Sequence, residues 1–514
     1  MEEKYDENYS YELVYTPDLI KVIELQMIKD LKLTSYQLMQ RAGRAAFRRI
    51  NWLYPFLDHW LILTGNGKNG GDGYILAMLA LSVGKKVTVL SCCTEDRIFT
   101  PLSSPHATQA KNNWINMNQN ILTYDAPWPQ VDIIIDALLG IGLKDAPNVL
   151  YSSLIKRANS YSIKNSVPIF SLDIPSGLMA KTGTIPGDVI QATHTQTFIA
   201  IKTGLLIGKA RSVVGQLHFD DLGSNKLLVN KKSGIRRLTT KSLLKWIPSR
   251  DPCCHKGNNG RLLIIGGDYG LAGSVLIAGE AALRSGAGLV QILTRESHIS
   301  GFLSRRPELI VRKLTNSSLE NALSWSDIIL IGPGLGIDKW GKNALSILEN
   351  YDKPMLWDAD ALNLLSLDPH KNNNRIITPH LGEAARLLNI NVSQIEMNYI
   401  LSINNLYKYY GGVVVLKSAG TLILEKNHLS IVDVGNASMA SGGMGDLLSG
   451  IICGLLSQNF SLYDSACIGC IIHGSAADNL AKEKGIRGIL ATDLLNNIYK
   501  FININDINQL KLKI

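Results

Sequence analysis

The sequence predicts an α/β protein of two domains, each a mostly parallel sheet covered by helices, and three observations predict it. Short β-branched or aliphatic runs alternate with longer helical patterns along the chain. Several of these runs end in polar, glycine-bearing turns, the place where parallel sheets bind ligands. The pattern also restarts after a polar, basic stretch at about residues 223–240, in a chain of 514 residues, too long for one ordinary core. The expected domains are residues 1–230 and 236–514.

A helical stretch at 18–50 opens the first domain, followed by expected strands at 60–64, 86–90, 131–135, 168–172 and 197–201. The second domain carries expected strands at 261–265, 289–293, 328–331, 354–357, 375–378 and 412–416. Helices are expected at 274–285, 383–389 and 447–456.

Composition narrows the function classes. The chain is 46% hydrophobic and 18% charged, as in ordinary globular proteins, and its net charge of +9 comes from 52 basic and 43 acidic residues. The strongest basic cluster, 226–237, falls in the expected linker, so no nucleic-acid partner is read from the charge. The acidic start MEEKYDENYS lacks a signal-peptide pattern, and no apolar run reaches the roughly 18 residues of a membrane span. Of seven cysteines, two pairs are adjacent, and Cys467 and Cys470 lie in an apolar helical stretch. They read as buried thiols of a reducing compartment. The expectation is a cytoplasmic protein with no membrane partner, acting on small molecules as a homo-oligomer.

In the first domain the strand at 60–64 runs into GNGKNGGDG, residues 65–73. Gly65, Gly67 and Gly70 satisfy GxGxxG between a strand and a helix, where glycines admit a phosphate close to the backbone and the helix start offers free N–H groups. The acidic residue expected at the next strand end is absent: Ser91-Cys92-Cys93 stands there. Two further turns follow apolar strands, one from Asp136 through Leu143 and one from Asp173 through Leu178. Each aspartate alone could be a helix cap; three such turns at successive strand ends point to a site.

With these residues in hand, 15–225 resembles the NAD(P)H-hydrate epimerase family. Its signatures stand here as Leu38-Met39-Gln40-Arg41-Ala42-Gly43, the GxGxNGGDG run, DALLGIGL, DIPSGL and the Lys202-Thr203-Gly204-Leu205 turn. The resemblance implies a Rossmann-like three-layer domain that binds a potassium ion through Asn69, Asp136 and Ser176. It implies cofactor contacts from Lys68, Asn69, Gly70, Gly71 and Asp72, from Gly140, Ile141, Gly142, Leu143, Lys144, Asp145 and Ala146, and from Asp173, also the expected catalytic residue. Lys68 departs from the family's usual Asn.

In the second domain, Ser441-Gly442-Gly443-Met444-Gly445-Asp446 precedes an apolar helix. A helix start can hold a transferring phosphoryl group, and Asp446 in the first turn can take a proton from the attacking hydroxyl; a capping aspartate between glycines is the plain alternative. The Walker pattern is absent. The words HKG, GPGLG, DADALN, TPHLGE and NxxMAxGGMGD resemble the ADP-dependent NAD(P)H-hydrate dehydratase family, with a ribokinase-like α/β fold over about 240–510. The resemblance implies that Lys417, Ser418, Ala419, Gly420, Thr421 and Gly445 bind the adenine nucleotide. Gly336, His380 and Asp446 face the hydrate, with Ser274, usually Ala, nearby. Sugar kinases of this fold carry Asn in place of His380.

The expected function is repair of hydrated nicotinamide cofactors. One domain interconverts R- and S-NADHX and NADPHX; the other dehydrates the S epimer with ADP as phosphoryl donor, and Mg2+ is a further expectation there. The alternatives are a ribokinase-like kinase of a hydroxymethyl or sugar substrate fused to a cofactor-binding domain, and a non-catalytic cofactor sensor.

Overall fold

The computed structural model describes residues 12–224, 234–348 and 351–505. Internal contacts divide the chain into a unit of residues 13–233 and a second unit that takes up the chain from Gly234 onward. Of the expected basic linker, 225–233 lies outside the described residues. Residues Ile235–Leu238 are strand, although their Arg-rich sequence hides the periodicity.

In the first unit, seven parallel strands stand in the order β4 (Ile121–Leu122), β3 (Lys86–Ser91), β2 (His59–Thr64), β5 (Ile133–Ala137), β6 (Ile169–Leu172), β7 (His194–Phe198), β9 (Gln216–Asp220). Two short strands, β1 (Glu12–Tyr15) and β8 (Ile201–Lys202), pair in parallel with Val14 opposite Ile201. Side-chain alternation divides the core between the two faces. Trp60, Ile62, Ile133, Ile135 and Phe170 pack with apolar residues of helices Ser35–Leu53 and Lys68–Ser82. Leu61, Leu63, Ile134 and Ile169 pack with Leu154, Ile155 and Ala158 of helix Val149–Asn165. That is the three-layer arrangement.

The strand order reverses between β2 and β5, which marks the ligand-binding crevice of an open α/β sheet. Gly65 and Leu138, the first residues past these strands, touch so closely that a Cβ on Gly65 would fall 1.7 Å from the Leu138 carbonyl oxygen.

Two expectations change. The helical stretch at 18–50 is two helices, Pro17–Asp30 and Ser35–Leu53, because Thr34 and Gln37 build a capping box that starts a second helix. The single strand expected at 197–201 is β7 and β8 separated by Ile199 at φ 68°. The sequence has no glycine to announce this bend. The bend is held by a contact across it: Lys202 Nζ folds back to donate to Phe198 O at 2.9 Å and Thr197 Oγ at 2.8 Å.

The second unit holds ten strands in the order β13 (Ile310–Lys313), β12 (Leu289–Thr294), β11 (Arg261–Ile265), β14 (Ile328–Ile331), β15 (Met355–Trp357), β16 (Arg375–Ile377), β17 (Val413–Leu416), β18 (Thr421–Glu425), β19 (His428–Val432), β10 (Ile235–Leu238). All neighbours are parallel except the β17–β18 and β18–β19 pairs. Helix Met444–Leu456 lies against helix Ala272–Arg284 at very short range: a Cβ on Gly450 would come within 2.2 Å of the Ala278 carbonyl. Cys453, Cys467 and Cys470 are free thiols buried in this core. Among the described residues no helix is long and apolar enough to cross a membrane.

Candidate functional sites, one in each unit

At the crevice of the first unit lies a cavity of about 720 Å³, lined by Lys68, Asn69, Asp72, the whole turn from Gly140 to Ala146, Asp173 and Lys202. The structure thus gathers the residues expected to bind the cofactor, with two exceptions. Gly70 and Gly71 are buried packing positions: a Cβ there would meet Gly65 O at 2.1 Å or Met39 at 2.6 Å. Their small size lets the helix start approach the crevice. Lys68 is turned to Glu24 at 2.6 Å.

Beneath the cavity floor, Asp136 is fully buried at the end of β5. It is a strand residue, which removes the capping alternative. Its carboxylate accepts from Ser176 Oγ at 2.5 Å, Ser176 N at 2.8 Å and Ser171 Oγ at 2.8 Å. Burial still pushes its carboxyl above the ordinary range against those hydrogen bonds. Leu139 N donates to Ser176 Oγ at 2.8 Å, and Asn69 Nδ2 donates to Leu139 O at 2.9 Å. Asn69 Oδ1 is buried and accepts no hydrogen bond, and such an orphan is costly unless a ligand satisfies it.

Asp173 sits at φ 65°, a conformation open to Asp at some cost. The bend aims its carboxylate at Phe198 N (3.2 Å) and at the buried ammonium of Lys202. In the sequence Lys202 shows only as the first residue of the Lys202-Thr203-Gly204-Leu205 turn. Asp72, also at the cavity, has its carboxyl held well above the usual range by burial and then by Asp173 and Glu24.

In the second unit the turns after β15 and β17, through Asp358 and Lys417, and the helix after β11, through Ser274 and Ile277, meet the Gly-rich loop. Gly443 takes φ 83° and the helix begins at Met444, which puts Asp446 in its first turn. Asp446 is hydrogen-bonded to Ser274, and burial, then the nearby Asp358, raises its carboxyl. Asp358 is almost wholly buried; burial opposes its charge, but the Lys417 ammonium at 2.8 Å and Ser449 Oγ at 2.7 Å hold the carboxyl below the usual value. A Cβ on Gly445 would lie 3.3 Å from Lys417 Nζ, so this ammonium lies under the Gly-rich loop. Lys417 therefore serves Asp358 and the loop, while Ser418–Thr421 form a turn closed by Thr421 Oγ to Ser418 O at 3.1 Å.

His380 caps helix Leu381–Leu388: its Nδ1 accepts from Gly382 N at 3.0 Å, which leaves Nε2 facing Glu383 Oε1 at 3.4 Å. Burial, then Lys417, lowers the imidazole; burial, opposed by Lys417, lifts Glu383 to about 7. Gly336 N donates to Asp360 Oδ2 at 2.8 Å. Asp358 and Glu383 were visible only as parts of the DADALN and TPHLGE motifs, because nothing in a sequence shows that the β16 and β17 turns meet.

Comparison with known proteins decides among the readings of these two sites. Residues 35–204 match the family of YjeF-related protein N-termini and residues 262–500 match the NAD(P)H-hydrate dehydratase family. A bifunctional NAD(P)H-hydrate repair enzyme of Escherichia coli (strain K12) is 51% identical over 95% of this chain and 94% of its own length. The chain belongs to the bifunctional NAD(P)H-hydrate repair enzymes. A second member, from Vibrio cholerae, is 38% identical over 95% of this chain and 98% of its own. The crystal structure of a ribokinase-like superfamily protein of Enterococcus faecalis covers 53% of this chain and 96% of its own at 29% identity and a TM-score of 0.50. Family membership favours the repair reading over a sugar kinase with a fused binding domain or a cofactor sensor. It also gives the two sites one shared metabolite to act on.

Proposed function

We propose that this repair enzyme acts on hydrated NADH and NADPH in two steps, epimerising the R and S forms in the first unit and dehydrating the S form in the second. The observation that carries the proposal is Asp446, a half-buried base in the first turn of a helix that begins at a Gly-rich loop. Asp446 takes the proton of the C6 hydroxyl as its oxygen attacks the terminal phosphoryl group of ADP, and AMP leaves. Hydroxide is a poor leaving group and phosphate a good one. The C6–O bond then breaks with its electrons on phosphate, C5 loses a proton, and the dihydronicotinamide is restored. The N–H groups of the Ser441–Gly445 loop hold the transferring group, with the Lys417 ammonium behind them. Lys417–Thr421 bind the adenine nucleotide, and Gly336 and His380 face the hydrate.

In the first unit Asp173 moves a proton at the C6 hydroxyl while Lys202 keeps its carboxylate oriented. The oxygen set of Asn69, Asp136 and Ser176 fits a monovalent hard cation, since Asn69 Oδ1 has no other partner. Potassium would supply fixed positive charge under the cavity floor. In the second unit the carboxylates of Glu383 and Asp358, both beside Lys417, would be the oxygen ligands nearest a Mg2+ ion, which would neutralise phosphate charge.

The test incubates enzyme with S-hydrate and ADP and follows the near-ultraviolet absorbance of reduced nicotinamide, with AMP and phosphate measured alongside. Recovery of absorbance with one AMP per cofactor supports the proposal. A stable phosphorylated product, or no recovery, sinks it.

A further inference from the structure

An arginine held between two aromatic rings stands beside the dehydratase turns and has no part in the phosphoryl transfer. Arg295 follows β12 directly, and its guanidinium carbon lies 4.5 Å from the Tyr269 ring centroid and 4.2 Å from that of Trp340. Its Nε donates to Asp268 Oδ1 at 2.6 Å, and the same oxygen accepts from Tyr269 N at 2.8 Å. Asp268 thereby fixes the rotation of the fork, and it engages only the Nε edge. Among the described residues no acceptor takes the hydrogens of Nη1 and Nη2. Tyr269 leaves 69% of its surface in water. A surface ion pair and an exposed cation–π contact are each worth little for stability. A planar, stacked, pre-oriented fork is instead what bidentate phosphate recognition uses.

The stack is continuous with the proposed hydrate site. Asp268 Oδ2 lies 3.1 Å from where a Cβ on Gly336 would stand, so the two turns approach closely, and Gly336 at φ 72° suits the bend. The same loop leads into helix Ala272–Arg284, whose Ser274 is hydrogen-bonded to Asp446. The turns carrying Gly336, Asp268 and Arg295 follow three adjacent strands, β14, β11 and β12. Because one Asp268 oxygen lies against the Gly336 turn and the other accepts from Arg295 Nε, that Nε stands within about 8 Å of the Gly336 turn, roughly the reach of a nicotinamide riboside to its diphosphate. The donor nucleotide's turn follows β17, on the opposite side of β14.

We propose that Arg295, clamped by Tyr269, Trp340 and Asp268, is the subsite for the diphosphate of the hydrated dinucleotide. This rests on the dehydratase reading of the second unit. It makes the enzyme selective for dinucleotide over mononucleotide hydrates.

The test compares wild type with Arg295→Gln on three acid-hydrated substrates: NADH, NADPH and reduced nicotinamide mononucleotide. The variant is expected to raise KM for both dinucleotide hydrates about tenfold with kcat unchanged, and to leave the mononucleotide unaffected. Trp340→Leu, which keeps the charge but loosens the clamp, is expected to act in the same direction and less. An equal loss on mononucleotide and dinucleotide would mean a structural role, and a loss confined to NADPHX would place the 2′-phosphate there instead; either overturns the proposal, as does no change. Failure of wild type on all three hydrates would refute the dehydratase reading itself.

Discussion

Lys202 and Asp173 form a buried ion pair in which each partner's backbone is bent to meet the other. Asp173 stands at φ 65°, and Ile199 at φ 68° breaks the strand that would have carried Lys202 away. Lys202 is 1% exposed and satisfies Thr197 Oγ and Phe198 O as well. Two non-glycine residues in the left-handed region, each costing about 1 kcal/mol or more, are spent on one contact at the cavity wall. Lys202→Met is therefore expected to slow epimerisation by about a hundredfold and to leave turnover of S-hydrate unchanged. The readout is the rate at which pure R-hydrate becomes available to added excess dehydratase; an unaltered rate would remove Lys202 from the chemistry.

That pair also shows what the sequence can and cannot disclose. The β2 and β5 strands, the glycine turns after them, Asp136, Asp173 and the Asp446 loop follow from local pattern, because hydrophobic runs and glycine turns are local devices. The pairing of Lys202 with Asp173 joins turns from two strands, and the Lys417–Asp358–Glu383 cluster joins three. Such contacts are set by sheet order, which no local pattern encodes. Strands β10 and β13 escaped for another reason: each is four residues long and half Arg or Lys, so the apolar signal is faint. Lys68 lines the cavity as expected, but its pairing with Glu24, 44 residues earlier, is another contact that no local pattern encodes.

Asn69→Ala deletes the orphaned Oδ1 and the bond from Nδ2 to Leu139 O. If that oxygen completes a potassium site, the potassium concentration for half-maximal epimerisation rises about tenfold, the effect of losing one ligand of about 1.4 kcal/mol. The measurement titrates potassium at constant ionic strength against a large organic cation. Wild-type epimerisation indifferent to that exchange would count against the site.

Asp446→Asn keeps the shape of the helix start and removes the base. Dehydration is expected to fall by about 10²–10⁴, with ADP affinity within about twofold and epimerisation unaffected. Burial and Asp358 raise the Asp446 carboxyl, so ionisation of the base, and with it kcat/KM, is lost at a higher pH than for an ordinary aspartate. Asp358→Asn removes the like charge and frees Lys417, so the acid limb of the profile moves to lower pH. A limb that stays in place would separate Asp446 from this titration.

His194 and His218 face each other across β7 and β9, Nδ1 to Nε2 at 3.1 Å, with His194 Nε2 at 2.9 Å from the Tyr54 hydroxyl. Burial, then Arg49 and His194, pushes His218 down to about 4; burial lowers His194 as well. The unfolded chain takes up a proton at an ordinary histidine value that the folded one refuses. Stability from His218 is thus complete above about pH 6.5 and drains away as pH falls towards about 4, by at most about 3 kcal/mol. His218→Gln cannot titrate and should flatten that acid slope. Calorimetric melting of the full chain at about pH 7.5 and about pH 5 reads it: the melting temperature of the transition involving the first unit falls less in the variant than in wild type. An equal fall in both would show that the histidine pair carries no acid sensitivity.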